Sequence, residues 1–234
     1  LATVTDPFAA DIPIVVYVDD GEAVKATTVT LSAGADTNIT GLKVMLDRVI
    51  TTQESATALT NTHMSTADNA NAGIRYAVSG SDLTVESGME LHVLAGKSFT
   101  PGGTVTTTST ATTAGVAGDV HIGSGATLDM GFSNLFVGGD YSNEGTFSNP
   151  GTTTFTATGS GFSIEDGTSN FAAIAFDGVG GSWAFSSDID LTPNFASITI
   201  TNGTLVTSNN NITTNGIIVN DTLSGSGSGT LRIT

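Results

Sequence analysis

Three segments of this 234-residue chain repeat nearly the same order of apolar, polar and glycine residues. The segments span residues 82–91, 119–128 and 197–205. Each has two apolar residues separated by one polar residue, then a glycine, then a leucine. The glycines Gly88, Gly125 and Gly203 are 37 and then 78 residues apart, which fits a unit of 37 to 39 residues. A period of this size predicts a repeat architecture, in which successive units stack on one another.

Within each segment the alternation is that of a β-strand, because successive side chains of a strand point to opposite faces. The glycine that follows suits a corner, since glycine adopts positive φ at little cost. One unit corresponds to two turns of a β-solenoid, at about 20 residues a turn. We therefore expect two or three short strands per turn, with leucine, isoleucine, valine and phenylalanine side chains stacked inside.

The repeated pattern begins near residue 74, which divides the chain into two predicted regions. Residues 74–234 are predicted to form an all-β, β-solenoid-like stack of short strands. Residues 1–73 are predicted to form a smaller N-terminal β region, of sandwich or capping type. Within that region, strands are expected over 12–18 and 26–32, and residues 54–59 are either loop or the one helix of the chain. A β-sandwich or jelly roll is the alternative fold.

Charge and composition exclude several classes of partner and site. The chain has 22 acidic and six basic residues, a net charge of -16, which repels nucleic acid and anionic lipid. It has no cysteine, which excludes disulfides and thiolate sites. The longest apolar run, from Ile12 to Val18, is too short to span a membrane. The low charged fraction of 12% leaves Thr, Ser, Asn and Gly to cover the surface, which favours an extracellular, cell-surface location.

Three stretches of the repeat region point to a known class of protein. They are Leu83–Gly88, Val120–Leu128 and Gly138–Phe147. In these stretches the region from residue 82 to residue 234, about two-thirds of the chain, resembles the β-strand repeats of large bacterial and archaeal surface proteins, of the adhesin and autotransporter-passenger type. The resemblance implies an extracellular location and an architecture; it implies no particular activity.

Paired carboxylates are the candidate metal ligands. Asp19 and Asp20 are adjacent, as are Glu165 and Asp166, and oxygen ligands from loops suit calcium. The alternative is that these carboxylates are solvated charges at corners and sheet edges. Calcium is the one cofactor that this pattern suggests.

Asp188 and Asp190 are the best candidates for acid–base chemistry, because residues two apart on a strand share one face. Clustered acids of this kind serve glycan-cleaving enzymes. The histidines His63, His92 and His121 have no metal-ligand spacing, and we expect them to be structural. No serine-hydrolase or phosphate-binding motif is present, so the chain is not expected to be an enzyme.

Aromatic residues cluster late in the chain, at Phe171, Phe176, Trp183 and Phe185. Exposed rings would form a glycan-binding platform. The alternation of Trp183 and Phe185 favours a second interpretation, in which the rings share one face and pack in the core.

Together these patterns predict an extracellular structural protein that self-assembles into a fibre, sheath or layer through strand pairing between subunits. The residues expected to mediate assembly are Ile12, Ile14, Val15, Val16, Val18, Leu231 and Ile233. The expected partner is a second copy of the chain, or a glycan. Two alternatives stay open: an adhesin that binds a glycan or host surface, and a polysaccharide-active β-helix enzyme.

Overall fold

The computed structural model describes residues 9–18, 24–34, 38–109, 117–191, 197–225 and 227–234. It shows an all-β protein, with half of the residues in strands and one helix, wound as a β-solenoid of about 9 turns. The predicted β-solenoid is thus confirmed, and the sandwich or jelly-roll alternative is not the fold observed.

The first strands and the helix are β1 (Pro13–Tyr17), β2 (Ala26–Leu31), β3 (Arg48–Thr51), α1 (Asn61–Ala67), β4 (Tyr76–Ser79), β5 (Asp82–Val85), β6 (Glu90–Val93), β7 (Ser98–Phe99), β8 (Val105–Thr106), β9 (Val120–Ile122), β10 (Thr127–Asp129) and β11 (Leu135–Val137). The remaining strands are β12 (Tyr141–Asn143), β13 (Thr146–Phe155), β14 (Phe162–Glu165), β15 (Thr168–Phe185), β16 (Ile189–Asp190), β17 (Ser197–Val206), β18 (Ile212–Thr214), β19 (Gly216–Val219), β20 (Thr222–Ser224) and β21 (Leu231–Ile233). Three of them, β13, β15 and β17, are long because they continue around corners of the solenoid.

The strands form three faces. Face 1 contains β5, β8, β11, the second half of β13, residues 173–176 of β15, the first half of β17 and β19. Face 2 contains β2, β3, β6, β9, β12, β14, the end of β15, the end of β17 and β20. Face 3 contains β7, β10, the starts of β13 and β15, and then β16, β18 and β21.

Strands of successive coils pair in parallel, and the register gives the length of a turn. On face 2, Val120 pairs with Tyr141 and Tyr141 pairs with Ile164. These pairs are 21 and 23 residues apart, close to the turn of about 20 residues that the repeat predicts. Each strand donates and accepts its backbone hydrogen bonds across the coil boundary, so the coils hold one another in register.

The core is a set of apolar columns inside the coil. On face 1 the inward column contains Leu83, Val105, Leu135, Thr153, Ile174 and Ile198, all of which are buried and all but Thr153 apolar. Burial of each apolar side chain stabilises the fold by about 1.5–3 kcal/mol relative to exposure. A solenoid core therefore grows coil by coil, and no single coil buries enough apolar surface to fold alone.

The N-terminal strands join the same stack. Strand β2 pairs in parallel with β3, and β3 pairs in parallel with β6, so strands on both sides of residue 73 belong to one sheet. Residues 54–59 form a loop, which is one of the two alternatives left open above, and the helix lies at Asn61–Ala67, where it was not expected. The reason is local: Thr60 supplies the side-chain acceptor that a helix N-terminus needs.

The landmark glycines occupy two kinds of corner. Gly88 and Gly203 lie between face 1 and face 2, whereas Gly125 lies between face 2 and face 3. All three have positive φ, as a corner requires. The segment that matches 119–128 in space is therefore 90–99, one coil earlier. The pattern of strand, glycine corner and strand recurs at more than one corner of each turn.

Candidate functional site

The first and last coils that the structure describes differ, and a helix covers the first. Helix α1 contacts β1, β2 and β4 across this end of the solenoid. The Tyr76 hydroxyl donates a hydrogen bond of 2.9 Å to the Met64 carbonyl, and both residues are buried. Burial raises the pKa of Tyr76, so the hydroxyl keeps its proton and remains a donor. The apolar core is therefore covered at this end.

The helix at this end is held by polar contacts. Thr60 Oγ1 accepts from the backbone N–H of His63, and His63 Nδ1 accepts from the N–H of Thr60. The buried Asn61 amide donates to the carbonyl of Ser81 at 2.7 Å, at the turn of the β4–β5 hairpin. His63 thus completes a capping box and has a structural role.

The predicted assembly strand at 12–18 forms β1, and it lies at a sheet edge. It pairs antiparallel with β2, with Val15 opposite Val29. Val15 and Tyr17 pack against the core, and the strand as a whole is half-buried. Among the described strands only β2 pairs with β1, so its outer edge carries backbone groups without a strand partner.

On the last coil that the structure describes, three strands have an edge without a strand partner. Among the described strands, β19 and β20 each pair with β17 alone, and β21 pairs with β18 alone. Ile218 and Ile233 are 59% and 56% exposed, and Val219 is also exposed. Leu231 and Ile233 share the inward face of β21; Leu231 is half-buried against the core, whereas Ile233 is exposed although its register partner Thr214 is buried. Apolar side chains and unpaired strand edges therefore coincide on the last coil.

The structure describes one of the two carboxylate pairs predicted to bind calcium. Asp19 and Asp20 lie outside the described residues. Glu165 accepts a hydrogen bond of 3.1 Å from the Ser142 hydroxyl, and burial raises the pKa of the neighbouring Asp166. Across the described part of the chain, no three His, Asp or Glu side chains are arranged to hold a metal ion. Calcium binding stays a prediction.

Asp188, one of the two candidates for acid–base chemistry, makes contacts between coils. Its carboxylate accepts from the backbone N–H of Asn211 at 2.7 Å and from the Asn211 side-chain amide at 2.9 Å. These bonds hold the pKa of Asp188 below its ordinary value, so it stays ionised. Asp190 lies two residues on, in β16, whose register neighbour on the next coil is Thr213. The contacts of Asp188 indicate a structural role.

The four aromatic residues of the predicted patch are buried in the core, and none forms an exposed platform. Phe171, Phe176, Trp183 and Phe185 are at most 2% exposed. The ring of Phe176 contacts that of Trp183, with centroids 5.2 Å apart. The aromatic column continues along the solenoid through Tyr141, Phe147 and Phe155.

A cluster of titratable groups on the outside of face 2 was not predicted. The imidazole rings of His92 and His121 stack with centroids 4.5 Å apart and an interplanar angle of 16°. His92 Nδ1 lies 2.6 Å from Glu90 Oε1, and Arg48 Nε donates to Glu90 Oε2 at 3.1 Å. Burial raises the pKa of Glu90, but the bond with His92 and the charge of Arg48 outweigh it and hold that pKa below its ordinary value.

Asp119 lies beside this cluster, and its pKa is raised, whereas that of Glu90 is lowered. Burial raises the pKa of Asp119 to about 7, and the charges of Asp140 and Glu90 add to the effect. Burial also lowers the pKa of His121, as does the neighbouring His92. The signal for this cluster was in the sequence, because residues 90–93 and 119–122 both read acid, apolar, histidine, apolar. The two segments do not fall at the landmark spacing of 37, so the pairing was missed.

Two further observations bear on function. Among the residues that the structure describes, no helix is long and apolar enough to cross a membrane. No protein-family model, no curated protein and no solved structure matches this chain, so the grounds for its function are its own sequence and fold.

Proposed function

We propose that this protein is an extracellular structural protein that assembles into a fibre, sheath or layer through strand pairing between copies. The observation that carries the proposal is the difference between the two ends. The N-terminal end is covered by α1, β1 and β4, whereas the last coil presents unpaired strand edges and exposed apolar side chains.

An open sheet edge favours association because its N–H and C=O groups lack partners and can template another strand. The last coil has such edges on all three faces, at β19, β20 and β21. Ile218, Val219 and Ile233 add exposed apolar surface whose burial would stabilise a contact.

The occupant of this end is a second copy of the chain, joined head to tail. The free edges of β1 and β20 lie on the same face of the solenoid, face 2, at opposite ends. Coaxial stacking of two copies brings these edges together, and β1 would pair antiparallel with β20 because it already runs antiparallel to β2. A head-to-tail contact that does not close on itself generates open fibres.

Composition supports an extracellular setting for such a fibre. The chain lacks cysteine and has few charged residues, and its outward positions are largely Thr, Ser and Asn. On face 1, for example, four of the six outward positions in one row from β5 to β17 are threonine; the row contains Thr84, Thr106, Phe136, Thr154, Ala175 and Thr199. Resemblance to bacterial and archaeal surface repeats points the same way.

Substitutions at the last coil test the proposal better than deletion of residues 1–18, because β1 also covers β2 and packs on the core. We expect the wild-type chain to form head-to-tail oligomers. In analytical ultracentrifugation their average mass should rise with protein concentration, measured over a range of about a hundredfold. The double substitution Ile218→Asp and Ile233→Asp is expected to leave monomers, because it places charges at the contact.

The matched control is Val179→Asp. Val179 is 74% exposed, but it lies at a corner within the solenoid and away from the last coil. The Val179→Asp substitution should leave oligomerisation unchanged. A wild-type chain that stays monomeric at every concentration, or a control that disrupts assembly as much as the double substitution, contradicts the proposal. Electron microscopy of the wild-type oligomers distinguishes linear fibres from compact aggregates.

A further inference from the structure

Three carboxylates lie in one column on the outside of face 2, on three successive coils. Glu90, Asp119 and Asp140 each precede an inward residue, and those inward residues, Leu91, Val120 and Tyr141, pair directly. Strands in a sheet are about 4.8 Å apart, so neighbouring members of the column are close. We call Glu90, Asp119 and Asp140 the acid column.

The acid column has a cation at one end only. Arg48 precedes Glu90 in the same row and pairs with it at 3.1 Å. No ion pair among the described residues reaches Asp119 or Asp140. Like charges directly opposite on paired strands repel, and partial burial strengthens that repulsion. The middle member is therefore the carboxyl group whose ionisation the fold opposes most.

Asp119 also bonds to the next coil. Its Oδ1 accepts the backbone N–H of Asp140 at 2.8 Å, and Asp140 Oδ1 accepts the N–H of Ser163 at 2.7 Å on the coil after that. A neutral carboxyl group still accepts these bonds through its carbonyl oxygen. Protonation thus removes the repulsion within the column and keeps the contacts between coils.

We propose that the acid column is a pH-sensitive joint of the solenoid, in which a proton on Asp119 stabilises the packing of three coils and its loss weakens it. The charged groups that act on Asp119 are Arg48 on β3, Glu90 on β6 and Asp140 beside β12. Of these, Glu90 and Asp140 oppose ionisation of Asp119, and Arg48 favours it. The nearby His121 on β9 is acted on by His92 and Glu144 as well as by Glu90 and Arg48.

The direction of the pH effect follows from the pKa of Asp119, which is raised in the folded chain. A raised carboxyl pKa means that the folded state binds the proton more tightly than the unfolded state does. The stabilisation is complete below the unfolded value of about 4 and is lost as pH rises through about 7. His121 acts in the reverse direction, because the fold disfavours its charged form. A variant is therefore needed to isolate Asp119.

Asp119→Asn is that variant, since the amide mimics the protonated carboxyl group and its oxygen still accepts the Asp140 N–H. The measurement is the urea midpoint of wild type and variant at about pH 5 and about pH 8. We expect the difference in midpoint, variant minus wild type, to be larger at the higher pH. Asp140→Asn is the second variant; it removes one like charge, and the pH dependence should shrink.

Asp188→Asn is the matched control. Asp188 also accepts the backbone N–H of the next coil, at 2.7 Å, but its column continues as Asn211 and Thr230, which are not acidic. The control should keep the wild-type pH dependence. The proposal is overturned if Asp119→Asn keeps that dependence, or if Asp188→Asn removes it as well.

Hydrogen exchange of the wild-type chain gives a second readout that needs no variant. Leu91 and Val120 donate their N–H groups across the joint, to the carbonyls of Asp119 and Asp140. After correction for the intrinsic effect of pH on exchange, their protection should fall between about pH 5 and pH 8 more than that of β17. Equal changes in protection along the whole solenoid contradict a joint located at the column.

Discussion

The imidazole rings of His92 and His121 stack 4.5 Å apart on neighbouring coils of face 2. The register of β6 and β9 enforces this contact, since His92 pairs with His121 directly. Glu90 lies two residues before His92 on the same strand, with its Oε1 2.6 Å from the His92 Nδ1. The two rings therefore differ, because only one has a carboxylate partner at hydrogen-bond distance among the described contacts.

This difference predicts that His121 resists protonation. Burial and the neighbouring His92 lower the pKa of His121, so the fold favours its neutral form. A histidine whose pKa is lowered in the folded state reduces the free energy of unfolding as pH falls below its unfolded-state pKa of about 6.5. NMR titration of the imidazole protons should show His121 titrating below that value, with the resonance assigned by its absence in His121→Gln. A midpoint at or above about 6.5 would contradict the prediction.

The Trp183 ring lies where side chains at Gly181 and Gly203 would otherwise be. A Cβ added at Gly203 would lie 2.7 Å from the indole Cζ3 and 2.6 Å from the carbonyl oxygen of Gly178. We expect Gly203→Ala to destabilise the fold by about 1–3 kcal/mol more than a glycine-to-alanine change in open space, because neither the backbone nor a buried ring can move away. Urea denaturation measures the difference.

The matched control for that change is Gly161→Ala. Gly161 has φ +87°, close to the +96° of Gly203, but no atom within 4 Å of an added Cβ. Both substitutions force a left-handed backbone on alanine, and only one also crowds Trp183. Equal losses of stability in the two variants would show that crowding at Trp183 contributes nothing.

The cap of α1 predicts a stability change at the closed end. Thr60→Ala removes the acceptor for the His63 N–H and is expected to cost about 1 kcal/mol. Thr66→Ala is the control, since Thr66 is exposed and its hydroxyl bonds only to the carbonyl of Thr62 within the same helix. In thermal unfolding, the midpoint of Thr60→Ala should lie several degrees below that of the wild type, and the midpoint of Thr66→Ala should be nearly unchanged.

Net charge predicts a salt requirement for self-association. Copies with a net charge of -16 repel one another, and salt shortens the range of that repulsion to about 10 Å at 0.1 M. Sedimentation should show more oligomer as sodium chloride increases. Calcium chloride at equal ionic strength should act more strongly if Glu165 and Asp166 bind the ion, and Glu165→Gln should remove that excess. Oligomers that dissociate as salt rises would contradict the prediction.

The sequence by itself determined the architecture of the coil. Alternating apolar residues followed by glycine specify strands that end at corners, and this holds for every coil because each buries its side chains in the same way. The inward residues, the corner glycines and the strands over 12–18 and 26–32 follow from local pattern alone. The helix at Asn61–Ala67 was not predicted at its position, because the cap at Thr60 is a weaker signal than apolar periodicity.

Only the tertiary structure decided which coils meet, because register depends on the length of every loop between two strands. Strands of segment 90–99 pair with those of segment 119–128, although Leu91 and Val120 are 29 residues apart and the next pair, Val120 and Tyr141, only 21. That register creates both the His92–His121 stack and the acid column. The tertiary structure also set the cover over the first coil, which depends on how β1 and α1 fold back. Local pattern specifies the strands, whereas long-range pairing specifies which side chains become neighbours.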